Sequence, residues 1–369
     1  MRYLHVLESL ARGGVETTFL HMLRAFRAVP AGVSAGAASS DSNDVHDVLA
    51  FTGGVLHREF SAAANRVLVS NLPLDLAAVL AHDYDVVHVL TERCAHRLGP
   101  LVVAVSDAAL LYGKNYDAPA MARMYGRFDH AADESLLSAS DAVTFTTLDL
   151  AAGYRLPPGR TTILRKAAAI AQALEIPPIS ADLPLRLLAI AHLHPRKRLD
   201  DLVPILRSVR QRVPRAELRI IGGGSAAQMA ALRDRIADAG LTGAIELTGS
   251  RADVEQELAS ARVLVLPSAF EGVSTVVVEA MAAARPVVAT RVGHIGHVLT
   301  DGCEGFLANP GDLTGFAARA ATLLEHPELA LRMGAAGRAR AATHDVRGVA
   351  VDVLRVLRRA ATARRRAAA

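Results

Sequence analysis

Short apolar runs alternate with longer segments of helical periodicity along the whole chain. An apolar run of roughly four to eight residues between turn residues predicts a buried strand, and a longer segment with apolar residues every three or four positions predicts a helix. The predicted strands are Tyr3–Leu7, Val86–Leu90, Leu101–Val105, Ala142–Phe145, Arg186–Ala191, Glu217–Ile221, Ala244–Leu247, Arg262–Leu266 and Pro286–Ala289. The predicted helices are Glu16–Arg27, His130–Ala139, Leu199–Arg212, Ala226–Ala239, Ala252–Ser260, Thr275–Ala284 and Val346–Ala369. This alternation favours parallel sheets that are covered by helices on both faces.

A proline-rich segment separates the two series of strands. Pro177, Pro178 and Pro184 fall within Glu175–Pro184, and proline interrupts regular structure, as a linker should. We therefore predict an N-terminal Rossmann-like domain over 1–174, a linker over 175–184 and a C-terminal Rossmann-like domain over 185–345. A helix with a basic tail follows over 346–369. Ligands of such sheets bind beyond the carboxyl ends of the strands, so we expect a ligand between the two domains.

Composition narrows the class of protein. With 369 residues, 51% hydrophobic and 21% charged, the chain has the profile of a folded protein of two domains. No apolar run approaches the roughly 20 residues of a membrane-spanning helix, and because the chain opens with a predicted strand we expect no signal peptide. Cys94 and Cys303 have no metal-ligand spacing and predict no disulfide framework, which makes the cytoplasm the expected location.

Charge adds little to the identification of partners. The net charge of +4 is compatible with a phosphate-bearing ligand. Aromatic residues make up only 4% of the chain and do not alternate with basic residues, so nucleic acid is not an expected partner. The basic end, Arg364–Arg366, is most simply a frayed, solvated tail, and weak peripheral contact with an anionic membrane surface is the alternative.

The strongest candidate for chemistry is the segment Pro267–Met281. The predicted strand before it ends at Pro267, a glycine-containing turn follows, and a helix begins near Ser274 or Thr275, either of which could cap it. Backbone N–H groups at such a helix start suit a diphosphate. Glu271 and Glu279 flank this point, and a carboxylate is a natural acceptor for the paired hydroxyls of a sugar or ribose. The alternative is structural: Glu279 is a solvated helix residue and Glu271 a partner of the helix dipole.

Pro267–Thr290 resembles the donor-site signature "PSxxEGxxxxxxEAMAxGxPVVAT" of family 4 retaining glycosyltransferases (glycosyl transferases group 1), with Ala284 at the usual glycine. The resemblance implies an α/β fold of the GT-B type, in which two Rossmann-like domains with parallel sheets face a central cleft. It also implies that a sugar moves, with retention, from a nucleoside diphosphate sugar to an acceptor hydroxyl, with neither a cofactor nor a bound metal. The acceptor itself is not identified.

The same resemblance assigns roles within this segment. Glu271 would hold hydroxyls of the transferred sugar, and Glu279 would hold the ribose of the nucleotide. The backbone that surrounds the phosphates and donor would be that of Gly272, Val273, Ser274, Thr275 and Val276.

A basic segment, Ala191–Arg198, directly follows the first strand of the second domain. The family has an Arg just after this strand and a Lys further on, and both grip the donor diphosphate. Lys197 matches that lysine, whereas His192 stands at the arginine position, where Arg196 could substitute. A histidine is only partly charged near neutral pH. The alternative interpretation is a solvated basic turn.

Further residues match the family more loosely. Gly222 and Gly224 follow a strand and imitate a dinucleotide fingerprint, but we interpret them as a tight turn that admits the nucleotide and not as an NAD site. Gly13 and Gly14 match a "GGxE" loop that faces the donor; the alternative is a tight turn capped by the acid that follows. Lys114 stands where many relatives have a histidine that contacts the sugar or acceptor.

Two segments depart from the family pattern. Leu164–Ala168 replaces a "PxGxD" segment, and Gly293–His297 lacks the acid of a "GGxxE" segment. The replaced positions at His192, Lys114 and Leu164–Ala168 leave open a non-catalytic relative that binds nucleotide sugar and serves a partner enzyme. A nucleotide-sugar epimerase on the same fold and, more distantly, an NAD-dependent dehydrogenase also stay open. An Asp-x-Asp string at Asp83 and Asp85 precedes a strand, so it predicts no metal site.

Overall fold

The computed structural model describes residues 1–11, 13–29, 44–116, 120–122, 126, 128–157, 159–180, 182–251 and 253–368. The chain divides into two compact units. The first comprises Met1–Ala167 together with Val346–Ala369, and the second comprises Ala168–Asp345. The segment predicted as a linker, Glu175–Pro184, therefore falls inside the second unit. Ala252 and Ala369, at the ends of two predicted helices, lie outside the described residues.

The first unit is built on a parallel sheet of seven strands. The strands are β1 (Arg2–Ser9), β2 (Val45–Thr52), β3 (Arg66–Val69), β4 (Val86–Val89), β5 (Ala109–Lys114), β6 (Ala142–Phe145) and β7 (Thr161–Ile163), in the spatial order β3-β2-β1-β4-β5-β6-β7. The helices are α1 (Gly14–Ala28), α2 (His57–Ala63), α3 (Pro73–Leu80), α4 (Glu92–Val105), α5 (His130–Ala139) and α6 (Leu148–Ala152). In the pairing of the two central strands, Leu4 lies opposite Val87.

One predicted strand of this unit is wrong. Leu101–Val105 forms the last part of the helix α4 and not a strand. A short run of apolar, mostly β-branched residues cannot be assigned by periodicity alone. The Thr91 hydroxyl caps α4 by accepting the Cys94 N–H, and Leu98 and Val102, one turn apart, face the core, whereas Val103 is 48% exposed.

The second unit contains a parallel sheet of six strands. They are β8 (Arg186–Ile190), β9 (Glu217–Ile221), β10 (Ile245–Gly249), β11 (Val263–Leu266), β12 (Val287–Thr290) and β13 (Gly305–Ala308), in the order β10-β9-β8-β11-β12-β13. The helices are α7 (Ala171–Leu174), α8 (Leu202–Arg212), α9 (Ala226–Asp238), α10 (Val254–Ala259), α11 (Thr275–Ala282), α12 (Ile295–Val298), α13 (Leu313–Glu325) and α14 (Pro327–Ala341). Each unit is thus a parallel sheet with helices between its strands, which is the predicted Rossmann-like architecture.

Ala284, at the position of the family's glycine, ends α11 in a left-handed conformation with φ of 54°. Its N–H donates to the Met281 carbonyl, and the Arg285 N–H donates to the Ala280 carbonyl, which is the Schellman pattern of a helix end. The residue therefore takes the backbone conformation that a glycine would take there, in spite of its β-carbon.

The last helix, α15 (Val346–Ala368), belongs to the first unit and packs on α1, β4 and β5. Arg358 pairs with Asp44, Arg365 pairs with Asp85, and Arg364 lies 3.8 Å from Asp141. The expectation of a frayed tail is wrong, because helical structure and these ion pairs continue almost to the end of the chain. Within the described ranges, no helix is both long enough and apolar enough to cross a membrane.

Candidate functional site

The loops after the neighbouring strands β8 and β11 form the centre of the candidate site. The Ala269 N–H donates to the Arg196 carbonyl at 2.8 Å, which ties the two loops together. Because parallel strands end at the same edge of the sheet, this contact brings the basic segment after β8 next to the acidic turn after β11. The main chain therefore fixes the separation of Lys197 and Glu271, although 74 positions lie between them in the sequence.

Lys197 and Glu271 form a sheltered ion pair. The Lys197 ammonium donates to Glu271 Oε1 at 2.5 Å, and the Ser268 hydroxyl donates to the same oxygen at 2.7 Å. The side chains of Lys197 and Glu271 are only 15% and 8% exposed, so salt screens this pair less than a surface pair. A cation and a carboxylate are thus held at one edge of the sheet, where an anionic ligand would compete with Glu271 for the ammonium.

The start of α11 lies in the same turn. Ser274 is its N-cap residue, but the Ser274 side chain accepts no hydrogen bond from the amides of the described helix. At α9, by contrast, the Ser225 hydroxyl accepts the Gln228 N–H at 3.2 Å, and the Gln228 side chain accepts the Ser225 N–H at 2.8 Å. The partial positive charge of the α11 start is therefore not neutralised by its own cap. The amides of Gly272, Val273, Ser274, Thr275 and Val276 are in this turn.

Glu279 lies one turn further along α11. Burial raises the pKa of its carboxyl group to about 7, and the charge of Glu255 adds to this effect. Within the described part of the chain, the Glu279 carboxyl forms no hydrogen bond or ion pair. A sheltered carboxylate without partners is costly, and it would be stabilised by ligand hydroxyls that donate to it.

Two glycines shape the loops around this centre. At Gly222 φ is 155°, and a β-carbon there would lie 1.7 Å from the Ala191 carbonyl oxygen. At Gly293 φ is 53°, and a β-carbon would lie 1.6 Å from the Glu271 carbonyl oxygen. No other residue type fits either position without a shift of the backbone. Gly224 is exposed, next to the capped start of α9.

The other two basic candidates, His192 and Arg196, have exposed side chains. His192 is exposed in the loop after β8, and its carbonyl accepts the His194 N–H at 2.8 Å. Arg196 is exposed too, and its main chain makes the contact with Ala269. Their predicted roles on the donor diphosphate stay predictions. Among the described residues, no group of three or more His, Cys, Asp or Glu side chains is arranged to hold a metal ion, and metal independence likewise stays a prediction.

In the first unit, Gly13 is the N-cap residue of α1 and Gly14 its first residue. The Glu16 carboxylate turns back toward Gly13, where a β-carbon would lie 2.4 Å from Glu16 Oε2. This is the arrangement expected of a turn that Glu16 caps. Contact of the two glycines with a donor stays a prediction.

Lys114 is fully buried in the first unit. Its ammonium lies 2.8 Å from Asp133 Oδ2 and 3.9 Å from Glu92 Oε1, and it sits over the rings of Phe128 and Tyr154. The Lys114 ammonium is thus held by side chains of the first unit itself, at the end of β5. The prediction that it contacts a sugar or an acceptor is not tested by this geometry.

Ser268 and Gly293 are the residues whose roles the sequence did not reveal. Ser268 binds Glu271, and Gly293 makes room for the Glu271 main chain. Ser268 directly follows Pro267 at the end of a predicted strand, and this position could have indicated that its side chain lies in the candidate site. Gly293 lies close to Glu271 because β11 pairs with β12, and no pattern in the sequence predicts that these two strands are neighbours.

Known proteins resemble this chain most clearly in the second unit. Residues 184–326 match the family model of glycosyl transferases group 1. N-acetyl-alpha-D-glucosaminyl L-malate synthase of Bacillus anthracis is 30% identical over 148 residues, which are 40% of this chain and 38% of that protein. Sulfoquinovosyl transferase of Arabidopsis thaliana is 32% identical over 158 residues, which are 42% of this chain and 30% of that protein. The chain thus spans less than half the length of these two curated relatives.

Solved structures resemble the chain over nearly its whole length. The Anabaena protein HepE, crystallised in complex with UDP, superposes with a TM-score of 0.78 at 20% identity, over 96% of this chain and 98% of that one. Sucrose-phosphate synthase of Thermosynechococcus elongatus superposes with a TM-score of 0.76 at 17% identity, over 97% and 98%. At such identities the likeness concerns the fold. Residues 184–326 of this chain thus resemble the glycosyl transferases group 1, and both units share the fold of these solved structures, which is of the GT-B type.

Proposed function

We propose that this protein transfers a sugar from a nucleoside diphosphate sugar to an acceptor hydroxyl, with retention and without a metal ion. The observation that carries the proposal is the pair of Lys197 and Glu271 beside the uncapped start of α11. The family match over the second unit and the UDP bound to the Anabaena relative support a nucleotide as the ligand.

The proposed donor lies along the carboxyl ends of β8 and β11. Its diphosphate meets the Lys197 ammonium and the α11 amides from Ser274 to Val276, which together supply positive charge. The ribose hydroxyls donate to Glu279, and the sugar hydroxyls donate to Glu271. Glu271 gives up the ammonium and receives hydroxyl donors in exchange, so neither group is left unpaired.

The proposed chemistry is electrostatic. As the bond between the sugar and the diphosphate breaks, negative charge builds on the leaving oxygen, and Lys197 with the start of α11 stabilises it. His192 or Arg196 is proposed to add charge from the loop after β8. One fixed donor of this kind is worth about 10²–10³ in rate. The acceptor hydroxyl attacks from the face that the diphosphate leaves and passes its proton to a diphosphate oxygen, which gives retention.

Calorimetric titration with UDP, GDP and ADP, on the wild type and on Lys197→Ala, tests the donor site. We expect one nucleotide to bind in the micromolar range and the variant to lose about 1.5–3 kcal/mol, since a charge-assisted hydrogen bond is removed. Arg58→Gln, an exposed change in the first unit, is the control for a general loss of charge. Binding that Lys197→Ala leaves intact would show that the ammonium does not hold the phosphates.

A second candidate is a non-catalytic relative that binds nucleotide sugar for a partner enzyme. The observation that favours it is the exposed His192 at a position where the family has a permanently charged arginine. Transfer to any acceptor by the purified chain alone would exclude this candidate. An epimerase is excluded if the sugar released from the donor keeps its configuration in the absence of acceptor.

The proposed location is the cytoplasm, which the two free thiols of Cys94 and Cys303 support. Weak contact of the basic end with anionic lipid is a further proposal. Such contact would have to compete with the ion pair of Arg365 and Asp85, whereas Arg366 is exposed. Vesicle sedimentation with and without anionic lipid tests it.

A further inference from the structure

A pocket of about 110 Å³ lies within the first unit. It opens at the carboxyl ends of β4, β5 and β6 and after β7, and it is bounded by α1 and α15. A water molecule occupies roughly 30 Å³ of liquid, so this space takes a small molecule or the head of a larger one. The carboxyl ends of parallel strands are the usual position of a ligand in such a sheet.

The charged side chains in the pocket wall are all cations. Lys114, Arg165 and Lys166 line it, and none of the described residues that line it is Asp or Glu. Lys114 is already balanced by Asp133. Lys166 lies near carboxylates outside the lining, and burial lowers its pKa. Arg165 is exposed and forms no hydrogen bond or ion pair with any residue in the described part of the chain. Positive charge at the mouth is therefore not fully compensated.

Thr146 lines the pocket and carries a hydroxyl that no described residue satisfies. Thr146 Oγ1 is buried, and it has no hydrogen-bond partner among the residues that the structure describes. The neighbouring Asn115 amide is already committed, because it donates to the carbonyls of Leu90 and Gly113 at 2.9 and 3.2 Å. An unsatisfied buried hydroxyl calls for an explanation, and a polar ligand in the pocket provides one. The opposite wall is apolar, with Phe19 of α1.

We propose that this pocket binds a small hydroxylated organic anion, with its acidic group on Arg165 and Lys166 and a polar oxygen on Thr146. If the proposed transfer reaction holds, this anion is the acceptor class, a hydroxy acid or a phosphorylated alcohol. Arg165 and Lys166 occupy the segment in which the chain departs from the family pattern. The replacement of the family's segment by Leu164–Ala168 therefore determines which acceptor binds, and it does not abolish the binding of an acceptor.

Calorimetry on the full chain tests the proposal with three probes: L-malate, glycerol 3-phosphate and neutral glycerol. We expect at least one anion to bind and glycerol not to bind at the same concentration, and the anion that binds distinguishes a carboxylate from a phosphate. Arg165→Gln should weaken binding about tenfold or more, because one charge-assisted hydrogen bond is lost. Thr146→Val should weaken it severalfold, and the control Arg58→Gln should leave it unchanged.

The proposal is overturned if neither anion binds, if Arg165→Gln and Thr146→Val both bind like the wild type, or if Arg58→Gln weakens binding as much as Arg165→Gln. The last result would mean a diffuse effect of net charge. Titration with UDP on the same samples separates this proposal from the proposed function. Anion binding without nucleotide binding would refute the donor site alone, and nucleotide binding without anion binding would refute the pocket alone.

Discussion

Glu279→Gln should stabilise the protein while it weakens nucleotide binding. In the folded protein burial raises the pKa of this carboxyl from the ordinary value of 4.5 to about 7. The folded state thus holds the proton more tightly than the unfolded state, and the resulting stability is present in full below pH 4.5. It is lost as the pH rises through 7, because the buried group must then ionise. The difference of about 2.5 pH units corresponds to at most about 3 kcal/mol.

Glutamine is neutral at every pH, so the variant avoids that loss. We expect Glu279→Gln to be about 1–3 kcal/mol more stable than the wild type at pH 8, with the advantage vanishing toward pH 4.5. Nucleotide affinity should change in the opposite direction. Only the ionised carboxyl accepts two ribose hydroxyls, and its ionised fraction rises from about a tenth at pH 6 to about nine tenths at pH 8. Wild-type affinity for UDP should therefore rise severalfold over this range, and the variant should lose this rise.

Thermal unfolding without nucleotide, followed by circular dichroism between pH 4.5 and 8, measures the first effect, and calorimetry with UDP at pH 6 and 8 measures the second. Glu246→Gln is the matched control, since its carboxylate is 59% exposed and paired with Arg219. If Glu279→Gln is no more stable than the wild type at pH 8, the carboxyl is not sheltered as argued. If it is more stable but binds UDP with the wild-type pH profile, Glu279 does not hold the ribose.

Three further outcomes are expected. Glu271→Gln should bind UDP severalfold more tightly, because Lys197 no longer has a competing carboxylate. The same variant should lose about 10²-fold or more in the rate of sugar transfer. Weaker binding of UDP would contradict the competition between phosphate and Glu271 for the ammonium. Gly293→Ala should lower both the stability and the affinity for UDP, because the added β-carbon would meet the Glu271 main chain. The control Gly296→Ala has open space around the added β-carbon and should leave both quantities unchanged. Thermal unfolding measures the stability, and calorimetry measures the affinity. Burial lowers the pKa of His46 to about 4, so this histidine should cost the first unit about 1 kcal/mol of stability per pH unit between about pH 6 and pH 4, beside the losses from the buried His5 and His88. Hydrogen exchange in β1 should therefore show a shallower loss in His46→Gln than in the wild type, and an equal slope would refute the role of this histidine.

The sequence alone predicted the fold class and most of the second unit. Its strands Glu217–Ile221 and Val263–Leu266 were predicted at or within one residue of their bounds. Val263–Leu266 is an uninterrupted apolar run, and in Glu217–Ile221 polar and apolar residues alternate before two isoleucines. The first unit was harder. β2 carries His46 and Asp47, both buried, and β5 ends in the buried Lys114. A search for apolar periodicity misses a strand that carries buried polar residues.

The sequence also determined which residues are candidates for the donor site, because the turn from Pro267 to Thr275 is a local pattern that one stretch of chain contains entirely. Only the tertiary structure decided how the candidates combine. Lys197 reaches Glu271 because β8 and β11 are neighbours in the sheet, and the order of strands is set by long-range packing and not by local sequence. Arg165 and Thr146 line one pocket for the same reason, since they follow β7 and β6. The spacing of apolar residues predicts which face of a helix or strand is buried, and it does not predict which helices and strands lie side by side.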